Sequence, residues 1–122
     1  MKLPSFITLL LAAALACVAS SSVAADDAPA YPGQPNINGA LKHLSAAKEK
    51  APTDAAGAIA ELAEASDFLS HAIHNKGTYV TIARQLTEQA TQHMKKGEPD
   101  KAVHKIDEAI ANVNRAGQTG KH

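Results

Sequence analysis

Apolar residues recur three and four positions apart along most of this 122-residue chain, and proline or glycine interrupts the pattern at three places. This spacing puts the apolar side chains on one face of an α-helix. The interruptions at Pro52, Gly77 and Gly97 are typical of helix ends, because proline cannot continue a helix and glycine readily adopts the left-handed conformation just beyond one. The pattern therefore predicts four helices joined by short connections.

The predicted helices run from about 38 to 51, from 53 or 54 to 75, from 78 to about 95, and from about 98 to 117. Their apolar stripes are Ile37, Leu41, Leu44 and Lys48 with Ala40 and Ala47; Ile59, Leu62, Ser66, Leu69 and Ile73; Tyr79, Ala83, Leu86, Ala90 and Met94; and Val103, Ile106, Ile110 and Val113. Short connections make consecutive helices antiparallel neighbours. We therefore predict an all-α fold, an antiparallel up-down four-helix bundle of two helical hairpins over residues 37 to 117.

An internal repeat supports the two hairpins. The segments "PTDAAGAIAELAEA" from Pro52 and "PDKAVHKIDEAIAN" from Pro99 align at an offset of 47 residues, which puts Ile59 in register with Ile106. The stretch "GEPDKAVHKIDEAI" also resembles a fragment of the tetratricopeptide repeat. Two stacked hairpins of that kind are therefore the alternative fold.

The first 25 residues have the features of a secretory signal peptide. A positive start, Met1-Lys2, precedes an apolar run from Ile7 to Ala19 and the small residues "SSSVAA". We predict cleavage after Ala25, or after Ala24, and a periplasmic location. A flexible leader rich in proline and glycine, 26 to 36, would follow, and residues 118 to 122 would form a disordered tail.

The single cysteine, Cys17, lies within the predicted signal peptide, so the mature chain would contain no disulfide. In a competing interpretation, "ALAC" from Ala14 is a lipoprotein box and Cys17 anchors the protein through a lipid. The apolar run is too short for a comfortable transmembrane helix, which needs roughly 20 residues. We expect no membrane-spanning segment in the mature chain.

Charge and motifs narrow the function. The predicted mature chain carries eleven Lys and Arg against twelve Asp and Glu, so nothing indicates a nucleic-acid-binding surface. It has no G-x-S-x-G, no glycine-rich phosphate loop, no H-E-x-x-H and no C-x-x-C-H motif. We therefore expect a protein that is not an enzyme, and we expect a monomer.

Histidines are the remaining candidates for chemistry. The chain has six, His43, His71, His74, His93, His104 and His122. Neutral imidazole is the commonest metal ligand, and without cysteine a site would combine it with carboxylate oxygens. Such a site prefers Cu(II), with Ni(II) and Zn(II) as the other candidate ions. The first five are the candidate ligands.

Two arrangements of these ligands follow from helix geometry. His71 and His74 are three apart on one helix face, where they either chelate an ion or are solvated residues near a helix C-terminus. In an up-down bundle His43, His93 and His104 lie within about 6 Å of one another along the bundle axis. A shared site of these three and separate surface sites both remain open. The carboxylates Asp100, Asp107 and Glu108 are predicted on the face of His104.

Three segments resemble the bacterial periplasmic small metal-binding protein family: "ALKHLSAAKE", "LSHAIHNKG" and "KKGEPDKAVHKIDEAIANV". The resemblance implies a four-helix bundle that binds several divalent metal ions, copper foremost, as a buffer or scavenger. The implied ligands are His43, His71, His74 and His104, and His93 matches the pattern less well. Members of the family contain more histidine than this chain. At repeat positions where the family would have histidine, this chain has other residues, such as Lys50, Gln89 and Asn112. The alternative function is an exported, tetratricopeptide-like helical module that binds a protein or peptide and has no metal role.

Overall fold

The structure is a computed structural model that describes residues 30 to 119, apart from the side chains of residues 73 to 76. It contains four helices, α1 Pro35–Lys50, α2 Ala55–Lys76, α3 Thr78–Lys95 and α4 Pro99–Thr119, and no strand within those residues. The prediction of an all-α protein with four helices is confirmed. The predicted signal peptide with Cys17, residues 26 to 29 of the leader, and residues 120 to 122 of the tail with His122 lie outside the described residues. Residues 118 and 119, predicted as part of a disordered tail, belong to α4.

Each helix packs against two neighbours. α1 and α3 both contact α2 and α4, and few contacts cross the diagonal between α2 and α4. Gly39 near the start of α1 lies against Phe68 in the second half of α2, and Lys50 at the end of α1 contacts Glu61 in the first half. This order of contacts is that of antiparallel neighbours. Among the described helices, none is long and apolar enough to cross a membrane.

The core is a regular alternation of alanine with larger side chains. Buried positions spaced by three and four residues form one face of each helix, which we call the core seam, and the seam of α1 continues to Ala51 just after the helix ends. The seam residues are Ile37, Ala40, Leu44, Ala47 and Ala51; Ala58, Leu62, Ala65, Leu69 and Ala72; Val80, Ala83, Thr87, Ala90 and Met94; and Ala102, Ile106, Ala109, Val113 and Ala116. Alanine lets helices approach closely, and the larger residues fill the space between these contacts.

The core seam differs from the predicted stripes in its share of alanine. The larger predicted residues Ile59, Val103 and Ile110 are half-buried and pack at the edge of the core, whereas Ala65 and Ala109 are fully buried. The prediction weighted side-chain size, whereas the seam combines alanine with larger residues such as Leu62 and Ile106.

The repeat also has a different register from the predicted one. The seam of α1 recurs in α3 43 residues later, and the seam of α2 recurs in α4 44 residues later. The predicted offset of 47 aligned two prolines that are not equivalent. Pro99 is the first residue of α4, whereas Pro52 lies three residues before α2. The two hairpins thus have equivalent buried faces. The offset grows from 43 to 44 residues because the second hairpin has one more residue between its two seams.

Two helix ends show how local sequence fixes the turns. The Asp54 carboxylate accepts a hydrogen bond from the Gly57 N–H at 2.9 Å, which caps α2. Gly97, two residues beyond the end of α3, terminates this helix with a φ of 76°, which lies in the left-handed region. The Gly97 N–H donates to the Met94 carbonyl at 3.1 Å and the Glu98 N–H donates to the His93 carbonyl at 2.9 Å. This pair of bonds is the Schellman motif, which satisfies the last carbonyls of a helix.

The segment before α1 is packed, which differs from the predicted flexible leader. The Tyr31 ring lies against Gly117, where an added Cβ would come within 2.7 Å of it, and its hydroxyl donates to Asn114 Oδ1 at 2.8 Å. The Asn38 side chain donates to the Tyr31 carbonyl at 2.8 Å, and Gln34 Nε2 donates to the Gly117 carbonyl at 3.1 Å. These bonds join the chain from Tyr31 to the end of α4, and helix α1 begins at Pro35, inside the predicted leader.

Replacing Gly39 with alanine is expected to destabilise the bundle by roughly 1 kcal/mol or more. Alanine normally stabilises a helix interior by about 1 kcal/mol over glycine. Here its Cβ would lie 2.6 Å from the Phe68 ring, so the ring has to move. Chemical denaturation should show the loss, and Ser45→Ala on the exposed face of α1 is the control. A Gly39→Ala chain more stable than wild type would contradict this packing.

Candidate functional site

His43 is held between α1 and α2. Its ring stacks on Phe68 with centroids 5.6 Å apart, and its Nδ1 lies 2.6 Å from Glu61 Oε1. The other oxygen of Glu61 accepts a hydrogen bond from Lys50 Nζ at 2.7 Å. The Glu61 carboxylate thus joins two side chains of α1, and the His43 side chain is 24 % exposed.

The proton on His43 follows from its partner. Hydrogen bonds from His43, and then from Lys50, lower the pKa of Glu61 below its ordinary value of 4.5, and the bond to Glu61 raises the pKa of Lys50. The carboxylate is therefore ionised at neutral pH and can only accept hydrogen bonds. Nδ1 carries the hydrogen, and in the neutral ring Nε2 keeps its lone pair for a metal ion.

His93 is oriented in the same way by the turn after α3. The Schellman motif brings Glu98 back over the last turn, where its Oε1 lies 2.8 Å from His93 Nδ1. Lys101 Nζ lies 3.7 Å from the other oxygen. The hydrogen bond from His93 is the main cause of a lowered Glu98 pKa. His93 also donates through Nδ1 and leaves Nε2 as the free nitrogen.

The two remaining histidines with described side chains are exposed. His71 donates from Nδ1 to the Asp67 carbonyl at 2.8 Å, and the Asp67 carboxylate lies 4.0 Å away. His104 Nε2 lies 3.2 Å from Glu108 Oε2, one turn along α4. His74 belongs to α2, but its side chain is outside the described part, so its predicted pairing with His71 is untested.

Of the two arrangements left open for His43, His93 and His104, the described side chains do not form the shared one. No three side chains of His, Cys, Asp or Glu type are grouped there closely enough to hold one metal ion. Each of the three histidines has its own carboxylate partner. Asp107, predicted on the face of His104, pairs with Lys48 of α1 at 2.8 Å. The three histidines were predicted at similar heights along the bundle axis, but their side chains contact different carboxylates and do not meet.

Sequence reasoning missed the two carboxylates that orient the half-buried histidines. In the sequence Glu61 is one of three acidic residues of α2, with Glu64 and Asp67, and nothing marks it as different from the other two. Glu61 lies toward α1, and no local spacing relates it to His43, which is 18 residues earlier. Glu98 had a local signal, because it follows the glycine that ends the helix of His93.

Acid should weaken the bundle through Glu61 and Glu98. Both have folded pKa values below 4.5, so their contribution to stability is complete above that pH and is lost as pH falls through the lowered values. We expect Glu61→Gln to be less stable than wild type at pH 7 and the difference to shrink toward pH 3, as measured by urea unfolding. Glu64→Gln, exposed on the same helix, is the control. A difference that does not change with pH would contradict this.

Comparisons of the chain with protein-family models, with curated proteins and with solved structures found no match.

Proposed function

We propose that this protein binds divalent transition-metal ions at separate histidine sites and acts as a metal buffer or scavenger. The ions are Cu(II) first, then Ni(II) and Zn(II), following the general order of affinity for nitrogen and oxygen ligands. The resemblance noted in the sequence, the predicted signal peptide and a periplasmic location belong to the same proposal.

The supporting observation is the orientation of three imidazoles. His43, His71 and His93 each donate from Nδ1 to an oxygen of the protein. A histidine that binds a metal through Nε2 almost always donates its other nitrogen in this way, which fixes the tautomer and raises the basicity of the ligand. This arrangement supports the proposal, because it leaves Nε2 of each of these three rings as the nitrogen with a lone pair.

Separate sites favour a buffer over a tight carrier. His43, His71 and His93 each offer an ion one nitrogen, Nε2, because the paired oxygen accepts the Nδ1 hydrogen, and solvent fills the remaining positions. Each such site binds weakly and releases its ion quickly, while several on one chain provide capacity. His104 and Glu108 on the surface of α4 offer an ion two donors, because Nε2 of His104 itself lies beside the Glu108 carboxylate.

A site-resolved titration tests this proposal. Substoichiometric Cu(II) added to the isotope-labelled chain should broaden NMR signals around His43, His71, His93 and His104. Because the sites are separate, His71→Gln should abolish the broadening near residue 71 and leave that near His104 unchanged. Gln92→Ala, exposed on α3, should change neither. Loss of all broadening in His71→Gln would show one shared site, and no broadening in wild type would refute metal binding.

Nothing in the described surface favours the alternative function as a protein-binding module. Among residues 30 to 119 with described side chains, one large apolar residue is exposed, Ile82, with 37 % of its surface accessible. A peptide-binding groove would be expected to show several such residues together. The surface depression on α3 is lined by Gln85, Glu88, Gln89 and Gln92, which are polar.

A further inference from the structure

The connection between the two hairpins is a single residue, Gly77, between α2 and α3. Its φ of 63° and ψ of −129° form a conformation that favours glycine strongly. The reversal of the chain between the hairpins therefore depends on this one residue. The turns within the hairpins are longer, from 51 to 54 and from 96 to 98.

This connection differs from the other two because it has no proline near it. Pro52 and Pro99 stand where α1 would continue into α2 and where α3 would continue into α4. Proline inside a helix removes a hydrogen bond and clashes with the carbonyl four residues earlier. From Ala55 to Lys95 there is no proline. Only α2 and α3 can join into one helix, which would be about 60 Å long at 1.5 Å per residue.

The core seams of α2 and α3 would lie on the same side of such a helix. The first seam residue of α2 is Ala58 and the last of α3 is Met94. They are 36 residues apart, which is about ten turns at 3.6 residues per turn. A joined helix would therefore present one continuous apolar face, with each half ready for a partner hairpin.

We propose that the chain exchanges hairpins with a second copy of itself. In this dimer α2 and α3 join through residue 77, and each α1–α2 hairpin packs against the α3–α4 hairpin of the other copy. Contacts inside each hairpin stay as they are, and those of α2 with α3 and of α1 with α4 re-form between copies. The Lys48–Asp107 ion pair, which joins the two hairpins at 2.8 Å, becomes intermolecular. Metal binding is not needed for this exchange.

Gly77→Ala tests the exchange. Alanine is strained at a positive φ, so it destabilises the closed monomer. It is also a better helix former than glycine, so it stabilises the joined helix. Each of the two chains contributes both effects to the free energy of dimerisation. The dimer dissociation constant should fall by roughly a thousandfold. The matched control is Gly97→Ala, which has a similar φ of 76° but is followed by Pro99. Light scattering after size exclusion should show a dimer for Gly77→Ala and a monomer for Gly97→Ala.

Cross-linking distinguishes exchange from ordinary association. Lys48→Cys chains and Asp107→Cys chains, both carrying Gly77→Ala, are refolded together and treated with a short bis-maleimide. The exchanged dimer places one new thiol of each chain side by side and should give a covalent dimer. A monomeric Gly77→Ala, or a dimer that does not cross-link, would overturn the proposal.

A second measurement keeps the test decisive if Gly77→Ala fails to fold. Chains with the native Gly77, carrying either cysteine, are refolded from denaturant at high protein concentration, where exchange competes with closure. Cross-linked dimer in an amount that rises with concentration is expected. Monomer alone at every concentration would overturn the proposal.

Discussion

Replacing Ile106 with alanine is expected to lower the free energy of unfolding by about 2 to 5 kcal/mol. Ile106 is fully buried in the core seam of α4, and its alanine neighbours in the seam are too small to fill the space that it would leave. A chain of this size has a total stability on the order of 5 to 15 kcal/mol. The variant should therefore unfold at clearly lower urea concentration and temperature.

Ile110 provides a matched control for Ile106. It is the same residue type one turn further along α4, and it is half-buried at the edge of the core. Ile110→Ala should cost clearly less, because the lost side chain was partly hydrated. Equal costs for the two variants would mean that the edge and the seam are packed alike, contrary to the structure.

Replacing Ala65 with leucine should destabilise the bundle by about 1 to 3 kcal/mol, although leucine is a good helix former. Ala65 is fully buried where α2 meets its neighbours, and the larger side chain would force the helices apart. The cost should appear as a lower midpoint of thermal and urea unfolding.

Ala63, exposed on the same helix, is the control for Ala65. Ala63→Leu should change stability by no more than about 0.5 kcal/mol. If Ala65→Leu proved neutral as well, the close approach of the helices at the alanine positions would be wrong.

The number and limits of the helices could be predicted because local chemistry determines them. Pro52, Asp54, Gly77 and Gly97 act within one turn of the chain, and the helices begin and end within a few residues of the expected positions. The buried face was predicted less well. Whether alanine or isoleucine lies inside depends on how closely neighbouring helices approach, and this is a property of the assembled bundle.

The candidate site shows the same division between local and assembled features. Which histidines belong to helices followed from the sequence, and the link between His93 and Glu98 depends on a glycine turn visible there. The link between His43 and Glu61 depends on the register of α1 against α2. Heptad-type spacing predicts that the two helices pack, but a shift of one turn would give His43 a different partner.

The most direct test of the proposed function is calorimetric titration of the processed, untagged protein with Cu(II) at neutral pH and at about pH 5. We predict that more than one ion binds per chain at neutral pH. Binding should be lost near pH 5, where protons compete for imidazole nitrogen. Absence of binding up to millimolar Cu(II) at neutral pH would contradict the proposal and leave the histidines as hydrogen-bonding residues of the bundle surface.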